Sequence, residues 1–223
     1  MSWEELAGWW LGEVSDPAYD EVVTPLLLEV LPRGGGGVVA DLGSGDGRLM
    51  PVIAEATGGR VVGVELVEDL ARESAQPVVL SRLPMLPLET GSLDGACVVL
   101  VLEHVEDHEA FFNETARAVK PGGFLVVVAN HPFWTAPGST PISDTDGEIL
   151  WRPGRYFERG ATVEPAGSGE VTFFHRSMSE LANAAAAAGW HLLRLVEKAS
   201  HHVDMDSGVP RLAAFAWRRC DVP

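Results

Sequence analysis

The stretch VVADLGSGDGRL, residues 38–49, joins an apolar run to three glycines that alternate with small or acidic residues. The apolar run predicts a buried strand over residues 38–42, and the glycines predict a tight turn into a helix over 48–57. In doubly wound α/β sheets, ligands bind where such a strand ends in such a loop. We therefore expect a ligand site at the carboxyl end of the first strand.

Strands and helices alternate beyond this loop. Apolar runs predict six further strands, over residues 60–65, 76–81, 94–101, 124–129, 191–199 and 211–219. Nearly continuous runs of Val and Leu are typical of parallel strands with helices on both faces of the sheet. The predicted fold is a single α/β domain with a doubly wound, mostly parallel seven-stranded sheet.

The chain divides into four predicted parts. They are an N-terminal helical cap (1–33), a ligand-binding core (37–130), an insert (131–175) and a closing helix with two strands (176–223). The insert is rich in Gly, Pro and aromatic residues and has no clear period, which is typical of a lid over a site. Ser177 and Glu180 predict a capping box that starts the closing helix.

The charge balance excludes one class of partner. Sixteen basic and 32 acidic residues give a net charge of −16, and such a surface repels phosphate backbones, so we expect no nucleic-acid partner. The N-terminus lacks the pattern of a signal peptide, and no apolar run reaches the length of a membrane span. Two distant cysteines, Cys97 and Cys220, favour a reducing compartment. We expect a cytoplasmic protein with no membrane partner, and the sequence leaves its oligomeric state open, with a homodimer among the alternatives.

Two carboxylates flank the glycine loop. Asp41 precedes it, Asp46 lies within it, and Arg48 stands where a dinucleotide-binding loop would carry its third glycine. Two negative charges would repel a pyrophosphate in a partly desolvated site, whereas they would attract a ligand with a positive group. The loop therefore favours a cationic ligand over a nicotinamide dinucleotide.

The stretch VVADLGSGDGRL resembles the first motif of the class I S-adenosylmethionine-dependent methyltransferases. Further similar motifs follow in order: VVGVEL (61–66), LPLETGSLDGACVVLVLEHVED (86–107), AVKPGGFLVVVAN (118–130) and FFHRSMSELANAAAAAGW (173–190). The last is similar to the small-molecule branch, methyltransferase type 11, which includes the quinone-biosynthesis methyltransferases. The resemblance implies a Rossmann-like methyltransferase fold with S-adenosylmethionine as its cofactor.

The resemblance also implies roles for individual residues. Glu65 is expected to bind the ribose hydroxyls, and carboxylates at the loop suit the cofactor's sulfonium and amino groups. Relatives often carry an Asp beside the adenine where this chain has Arg82, so we expect adenine contacts from backbone atoms of Leu83 and from apolar neighbours. The predicted cofactor-binding residues are Asp41, Gly43, Ser44, Gly45, Asp46, Glu65, Leu66, Arg82, Leu83, Val98 and Val99.

The acceptor pocket is expected between the N-terminal cap and the insert, because both are rich in aromatic residues. The predicted acceptor-binding residues are Trp10, Tyr19, Trp134, Trp151, Arg152, Tyr156 and His175. His131 and His104 follow the fifth and fourth strands and are the candidate catalytic residues. HHVDMD (201–206) lacks a second cluster at fixed spacing, so we predict no metal site.

The acceptor atom is the least constrained prediction. The fourth strand is not followed by the Asn/Asp-Pro-Pro-Tyr/Phe motif of DNA- and protein-amine methyltransferases. We therefore expect transfer to a small, partly apolar or aromatic molecule at oxygen, either a hydroxyl or a carboxylate. Methylation of carbon or nitrogen remains an alternative, as does a non-catalytic regulatory protein that binds S-adenosylmethionine.

Overall fold

A computed structural model describes residues 3–13, 19–143, 145–146, 149–167, 169–199 and 208–220. The strands in these ranges are β1 (Val38–Leu42), β2 (Arg60–Glu65), β3 (Val78–Leu80), β4 (Leu93–Val99), β5 (Val119–Asn130), β6 (Thr140–Ser143), β7 (Ile149–Arg152), β8 (Gly160–Ala166), β9 (Gly169–His175), β10 (Trp190–Ala199) and β11 (Pro210–Arg219). The helices are α1 (Trp3–Glu13), α2 (Thr24–Val30), α3 (Met50–Thr57), α4 (Glu68–Glu73), α5 (His108–Ala118), α6 (Pro132–Thr135) and α7 (Met178–Ala187). A π-helical turn spans Tyr19–Val23, and a 3-10 turn spans Leu102–His104.

Seven of the strands form one sheet in the order β10-β11-β5-β4-β1-β2-β3. The pairs from β5 to β3 are parallel, and β11 runs antiparallel to both β5 and β10. The strand order reverses at β1, because the chain adds β2 and β3 on one side and β4 and β5 on the other. The predicted doubly wound, mostly parallel seven-stranded sheet is confirmed.

Helices cover both faces of this sheet. Leu27 of α2 and Ile53 of α3 are buried in one apolar layer, and Phe111 of α5 and Leu181 of α7 are buried in the other. Burying a side chain of this size stabilises the fold by about 1.5–3 kcal/mol. The sheet is therefore held from both sides, as continuous apolar strands predict.

Several element boundaries differ from the predictions by one to five residues, and two of these differences affect the glycine loop and the start of β5. The helix after the glycine loop begins at Met50 rather than at residue 48, because Arg48 turns its side chain back onto the loop. Strand β5 begins at Val119 rather than at Phe124, since the turn residues 120–123 form an irregularity in its pairing with β4. Both differences lie at turns, where local sequence constrains the boundary weakly.

The insert is more regular than its sequence predicts. It contains α6 and two antiparallel hairpins, β6–β7 and β8–β9. Most side chains of β8 are exposed on both faces, so the strand lacks the alternation of apolar and polar residues by which strands are recognised. Its regularity therefore comes from pairing with β9 rather than from a buried face.

Helix α1 packs between the core and the β8–β9 hairpin. Ala7 contacts Val67 and Leu70 in a small apolar cluster. Gly167, in the turn between β8 and β9, lies so close to Trp9 that a Cβ there would be 2.5 Å from the indole ring. Among the residues placed in the structure, no helix is both long and apolar enough to cross a bilayer.

Candidate active site

A cavity of about 340 Å³ lies at the carboxyl ends of β1, β2 and β4, where the strand order reverses. Small ligands of doubly wound sheets bind at this point, and the volume is in the range of such sites. Many of the residues that the sequence predicts to bind the cofactor or the acceptor, or to be catalytic, line this cavity. They are Trp10, Tyr19, Asp41, Gly43, Ser44, Gly45, Glu65, Leu66, Arg82, Leu83, Val99 and His104. Lining residues to which the sequence assigned no role include Trp3, Arg48, Leu100, Asn130 and Phe173.

Backbone hydrogen bonds hold the glycine loop against β2. The N–H groups of Gly43 and Ser44 both donate to the carbonyl of Val64, at 2.7 and 3.2 Å. Gly43 has a φ of 77°, and a Cβ there would lie 2.5 Å from Val101, so conformation and space both require glycine. The Ser44 hydroxyl is buried against Gly63 of β2 and has no hydrogen-bond partner in the described part of the chain.

Glu65 ends β2 and ties the loop to the cavity. Its Oε2 accepts the Gly45 N–H at 2.8 Å, and its Oε1 accepts the N–H groups of Leu66 and Val67 at 2.8 and 2.9 Å. A carboxylate has roughly four acceptor positions, so one position on Oε2 is left for a further donor. Glu65 is therefore suited to hold the loop and to accept one ligand hydroxyl.

Asp41 is the most strongly perturbed acid at the cavity. It is 2% exposed. Burial, together with the nearby carboxylates of Glu65 and Asp46, raises the pKa of this carboxyl to about 7. A carboxyl that is half ionised near neutral pH gains charge when a cation binds beside it. Asp41 can therefore favour a cationic ligand.

Asp46 does not line the cavity. Its carboxylate accepts two hydrogen bonds from Arg48, at 2.7 and 3.0 Å. The Arg48 guanidinium lies 5.2 Å from the ring centroid of Trp10 and 5.6 Å from that of Tyr19. Arg48 stands where a dinucleotide-binding loop has its third glycine. It forms an ion pair with Asp46 inside the loop, and its cation–π contacts with Trp10 and Tyr19 join the loop to the N-terminal cap.

The remaining predicted cofactor residues divide between the cavity and the core. Leu66, Arg82 and Leu83 line the side of the cavity nearest β2 and β3, and Val99 lines it at the end of β4. Val98 does not line it, and its side chain is buried in the apolar layer on the other face of the sheet. Successive side chains of a strand point to opposite faces, so only one of two adjacent valines can face the cavity.

Aromatic side chains form the other half of the cavity. They are Trp3, Trp9, Trp10, Tyr19 and Phe173, from α1, the π-helical turn and β9. Burial raises the pKa of the Tyr19 phenol well above its usual value, and the Asp41 carboxylate adds to the rise. Tyr19 therefore stays protonated, so it can donate a hydrogen bond but cannot act as a base.

His104 lies among these aromatic side chains. Its ring meets Trp3 edge-on with centroids 5.0 Å apart and packs against Phe173 at 4.6 Å. Nδ1 lies 2.8 Å from the carbonyl oxygen of Thr172. Because a carbonyl only accepts hydrogen bonds, Nδ1 carries the hydrogen and Nε2 of the neutral ring keeps its lone pair. The cavity wall thus contains an imidazole that can take a proton.

His131, the other predicted base, lies outside the cavity lining. Its Nε2 is 2.7 Å from a carboxylate oxygen of Glu197, and its Nδ1 accepts the Phe133 N–H at 2.9 Å. Burial lowers the pKa of this imidazole, although the Glu197 carboxylate partly offsets the shift. Both ring nitrogens are therefore used in capping α6 and binding β10.

Four predicted acceptor-binding residues of the insert also lie outside the cavity lining. Trp134 and Trp151 stack on each other with ring centroids 4.3 Å apart, and Arg152 is exposed on β7. The Tyr156 hydroxyl accepts the N–H of Met178 at the start of α7. These contacts hold the insert together and attach it to α7.

His175 completes the set of insert residues that the structure does not place at the cavity. Its Nε2 lies 2.8 Å from the carbonyl of Tyr156, and its Nδ1 lies 3.2 Å from the Thr135 hydroxyl.

Within the described ranges, no group of three or more His, Cys, Asp or Glu side chains is arranged to hold a metal ion. Residues 201–206, which raised the question of a metal, lie outside those ranges.

Comparison with known proteins identifies the domain. A family model described as a methyltransferase domain matches residues 40–127. The chain is 36% identical over 119 residues to an uncharacterized 37.1 kDa protein in transposon TN4556 of Streptomyces fradiae, which covers 49% of this chain and 34% of that protein. It is 27% identical over 144 residues to a ubiquinone biosynthesis O-methyltransferase of Hydrogenovibrio crunogenus, which covers 56% of each. The chain thus spans between a third and just over a half of these relatives' lengths.

Solved structures share the whole architecture. An S-adenosylmethionine-dependent methyltransferase from Mesorhizobium loti matches with a TM-score of 0.78 and 25% identity, over 90% of this chain and 99% of that one. The sheet order and the glycine-loop cavity define a Rossmann-like, ligand-binding α/β protein. With these matches, residues 40–127 form a methyltransferase domain whose architecture is that of S-adenosylmethionine-dependent methyltransferases, and this supports S-adenosylmethionine as the cofactor.

The side chains at the cavity fit this cofactor. The buried Asp41 carboxyl matches the positive groups of its methionine part, and the free position on Glu65 Oε2 matches a ribose hydroxyl. We therefore propose that Asp41 and Glu65 hold the cofactor, whereas the Ser44 hydroxyl is buried against Gly63.

The raised pKa of Asp41 predicts a pH-dependent affinity for S-adenosylmethionine. With a pKa of about 7, the carboxyl is mostly protonated at pH 6.0 and mostly ionised at pH 7.5. Because only the ionised form attracts the cationic ligand, binding is expected to be about eightfold tighter at pH 7.5. Isothermal titration calorimetry at the two pH values measures this, with Asp41→Asn as the control that should lose the difference. Equal affinities of the wild-type protein would contradict the role of Asp41.

Proposed function

We propose that the protein transfers the methyl group of S-adenosylmethionine to an oxygen of a small aromatic acceptor, and that His104 removes the proton. The observation that carries this proposal is the position of His104 at the cavity, with its Nδ1 hydrogen fixed by the Thr172 carbonyl. The cofactor, when bound, supplies a methyl group attached to a sulfonium leaving group. The tasks left to the protein are to orient the acceptor and remove its proton.

The aromatic half of the cavity supports an aromatic acceptor. Indole and phenyl rings from α1 and β9 offer flat apolar walls to a ring of similar shape. They also exclude water from the reacting atoms, which protects the methyl group from hydrolysis. The residues proposed to bind the cofactor and those proposed to bind the acceptor therefore line the same cavity.

A base is needed because a phenol is protonated and poorly nucleophilic at neutral pH. An imidazole whose Nε2 keeps its lone pair can accept the phenolic proton as the oxygen attacks. Tyr19 cannot serve, because its own pKa is raised by burial. The O-methyltransferase among the similar curated proteins supports oxygen as the acceptor atom.

Methyl transfer from 13C-methyl S-adenosylmethionine to a panel of phenols, benzoates and indoles tests the proposal. We expect a methoxy product from at least one phenol, identified by the 13C shift of the methyl group. A methyl signal only on carbon or nitrogen would contradict transfer to oxygen. Tight binding of S-adenosylhomocysteine without any product would instead favour the non-catalytic alternative.

A further inference from the structure

The side-chain amide of Asn130 lies between two charged residues at the end of β5. Its Nδ2 is 2.5 Å from Oε1 of Glu103, and its Oδ1 accepts a hydrogen bond from the Arg211 guanidinium. Glu103 is 5% exposed, and Arg211 lies 4.4 Å from the ring centroid of Trp134. Both charged partners are thus held by their own surroundings.

These two partners determine which way the amide points. A guanidinium only donates hydrogen bonds, so the atom that faces Arg211 must be the amide oxygen. An ionised carboxylate only accepts, so the atom that faces Glu103 must be the amide nitrogen. Asn130 therefore has one orientation, and a flipped amide would lose both hydrogen bonds.

One hydrogen of this amide nitrogen remains available. The nitrogen has two hydrogens, of which one is donated to Glu103, and no described residue accepts the other. Asn130 is partly exposed and lines the cavity that also contains His104. Because the amide oxygen accepts a hydrogen bond from a cation, the remaining N–H is polarised into a stronger donor.

We propose that this second N–H of Asn130 donates a hydrogen bond to an oxygen of the acceptor molecule. The cavity would then select acceptors that carry an oxygen with a free lone pair, such as a carbonyl, a carboxylate or an ether. Asn130 is in this view a substrate-binding residue, and Glu103 and Arg211 are positioning residues that act through it. The inference rests on the proposed function only in that the aromatic half of the cavity holds the acceptor.

Two matched fragments can test this without turnover. Acetophenone has an oxygen that only accepts hydrogen bonds, and ethylbenzene has nearly the same shape without it. Protein labelled with 15N and saturated with S-adenosylhomocysteine is titrated with each. The chain has three asparagines and one glutamine, so the side-chain amide region of the spectrum contains only four NH₂ groups.

Acetophenone is expected to shift the signal of one Asn130 amide proton downfield, the proton that is not bonded to Glu103. Ethylbenzene is expected to leave that signal unchanged. Acetophenone is also expected to bind about fivefold more tightly, which corresponds to one neutral hydrogen bond. An unmoved amide proton, or equal affinities for the two fragments, would overturn the proposal.

A double variant separates the donor from the geometry. N130D/E103Q exchanges the amide and the carboxylate, so net charge and size are kept and the group at the cavity becomes an acceptor, at the cost of the hydrogen bond that position 103 accepts from the backbone N–H of residue 130. We expect it to lose the fivefold preference. Glu103→Gln alone should keep the preference. The backbone N–H and the side-chain Nδ2 group of Asn130 both donate hydrogen bonds to position 103, so they will hold the glutamine oxygen where the carboxylate oxygen was.

The fragment preference and the proposed function can fail separately. Absence of S-adenosylhomocysteine binding would contradict the cofactor half of the site, and the two fragments would then be compared on the protein without that ligand. Absence of methyl transfer with a clear fragment preference would leave the Asn130 donor standing. Loss of the preference in an active protein would remove only the role of Asn130.

Discussion

His104→Gln is expected to lower kcat for a phenolic acceptor by about 10²- to 10⁴-fold, the usual contribution of a general base. Glutamine can still donate a hydrogen bond to the Thr172 carbonyl, so the local structure should survive. It has no lone pair of imidazole basicity to accept the phenolic proton. Steady-state kinetics with a phenol identified from the panel measures the loss, and affinity for S-adenosylhomocysteine should remain unchanged.

The ionisation state of the acceptor distinguishes a base from a packing residue. A nitrophenol is largely ionised at pH 8 and needs no base, so His104→Gln should slow its methylation only slightly. Equal losses for ionised and protonated phenols would show that His104 positions the acceptor rather than removing its proton. His191→Gln is the matched control, because His191 is exposed on β10 and lies outside the cavity lining.

Glu65→Ala is expected to weaken S-adenosylhomocysteine binding by about 100-fold. The carboxylate accepts the Gly45 N–H and has one position for a ribose hydroxyl. The ribose hydrogen bond to this charged group contributes about 1.5–3 kcal/mol, and a loop that Glu65 no longer holds must be ordered when the ligand binds, so the total loss is about 3 kcal/mol, which is a factor of about 100. Isothermal titration calorimetry measures the affinity directly.

Two further variants make that result interpretable. Glu68→Ala removes a neighbouring acid whose carboxylate is exposed and pairs with Arg72 at 2.5 Å, so it should bind S-adenosylhomocysteine as the wild type does. Glu65→Gln keeps one acceptor oxygen and should fall between the wild type and Glu65→Ala. Wild-type affinity in a folded Glu65→Ala protein would remove Glu65 from the cofactor site.

The predictions that agree with the geometry are those in which the backbone positions the side chain. Asp41 and Glu65 lie at or near the ends of adjacent parallel strands, and such ends meet at one edge of a sheet. Strand assignment alone was therefore sufficient to bring them together. His104 belongs to the same group, because it follows the neighbouring strand β4 within a short turn.

The predictions that differ are those that depend on which side chains contact each other, in most cases across distant segments. Asp46 and His131 lie next to the site along the chain, yet one pairs with Arg48 and the other with Glu197 on β10. Trp134 and Trp151 stack on each other rather than at the cavity. Composition marked the insert as aromatic, but it does not state which rings pack together.

Asn130 shows most clearly what the sequence pattern did not contain. It follows the predicted strand over residues 124–129 and precedes the candidate residue His131, but the sequence gives Asn130 itself no role. Its amide orientation comes from Glu103 and Arg211, which are 27 and 81 residues away in sequence. Only a folded chain brings those two opposite charges to the two ends of one amide.

Local patterns in this chain were thus enough to predict the sheet, the glycine loop, the methyltransferase domain and the position of Asp41 and Glu65 at the cavity. Period, turn residues and motif spacing act over a few residues, and they determine where strands end. The acceptor half was determined by long-range packing, which joins α1, the β8–β9 hairpin and the turn after β4 around His104. Side-chain direction depends on the neighbours that pack against it, and those neighbours are known only once the chain has folded.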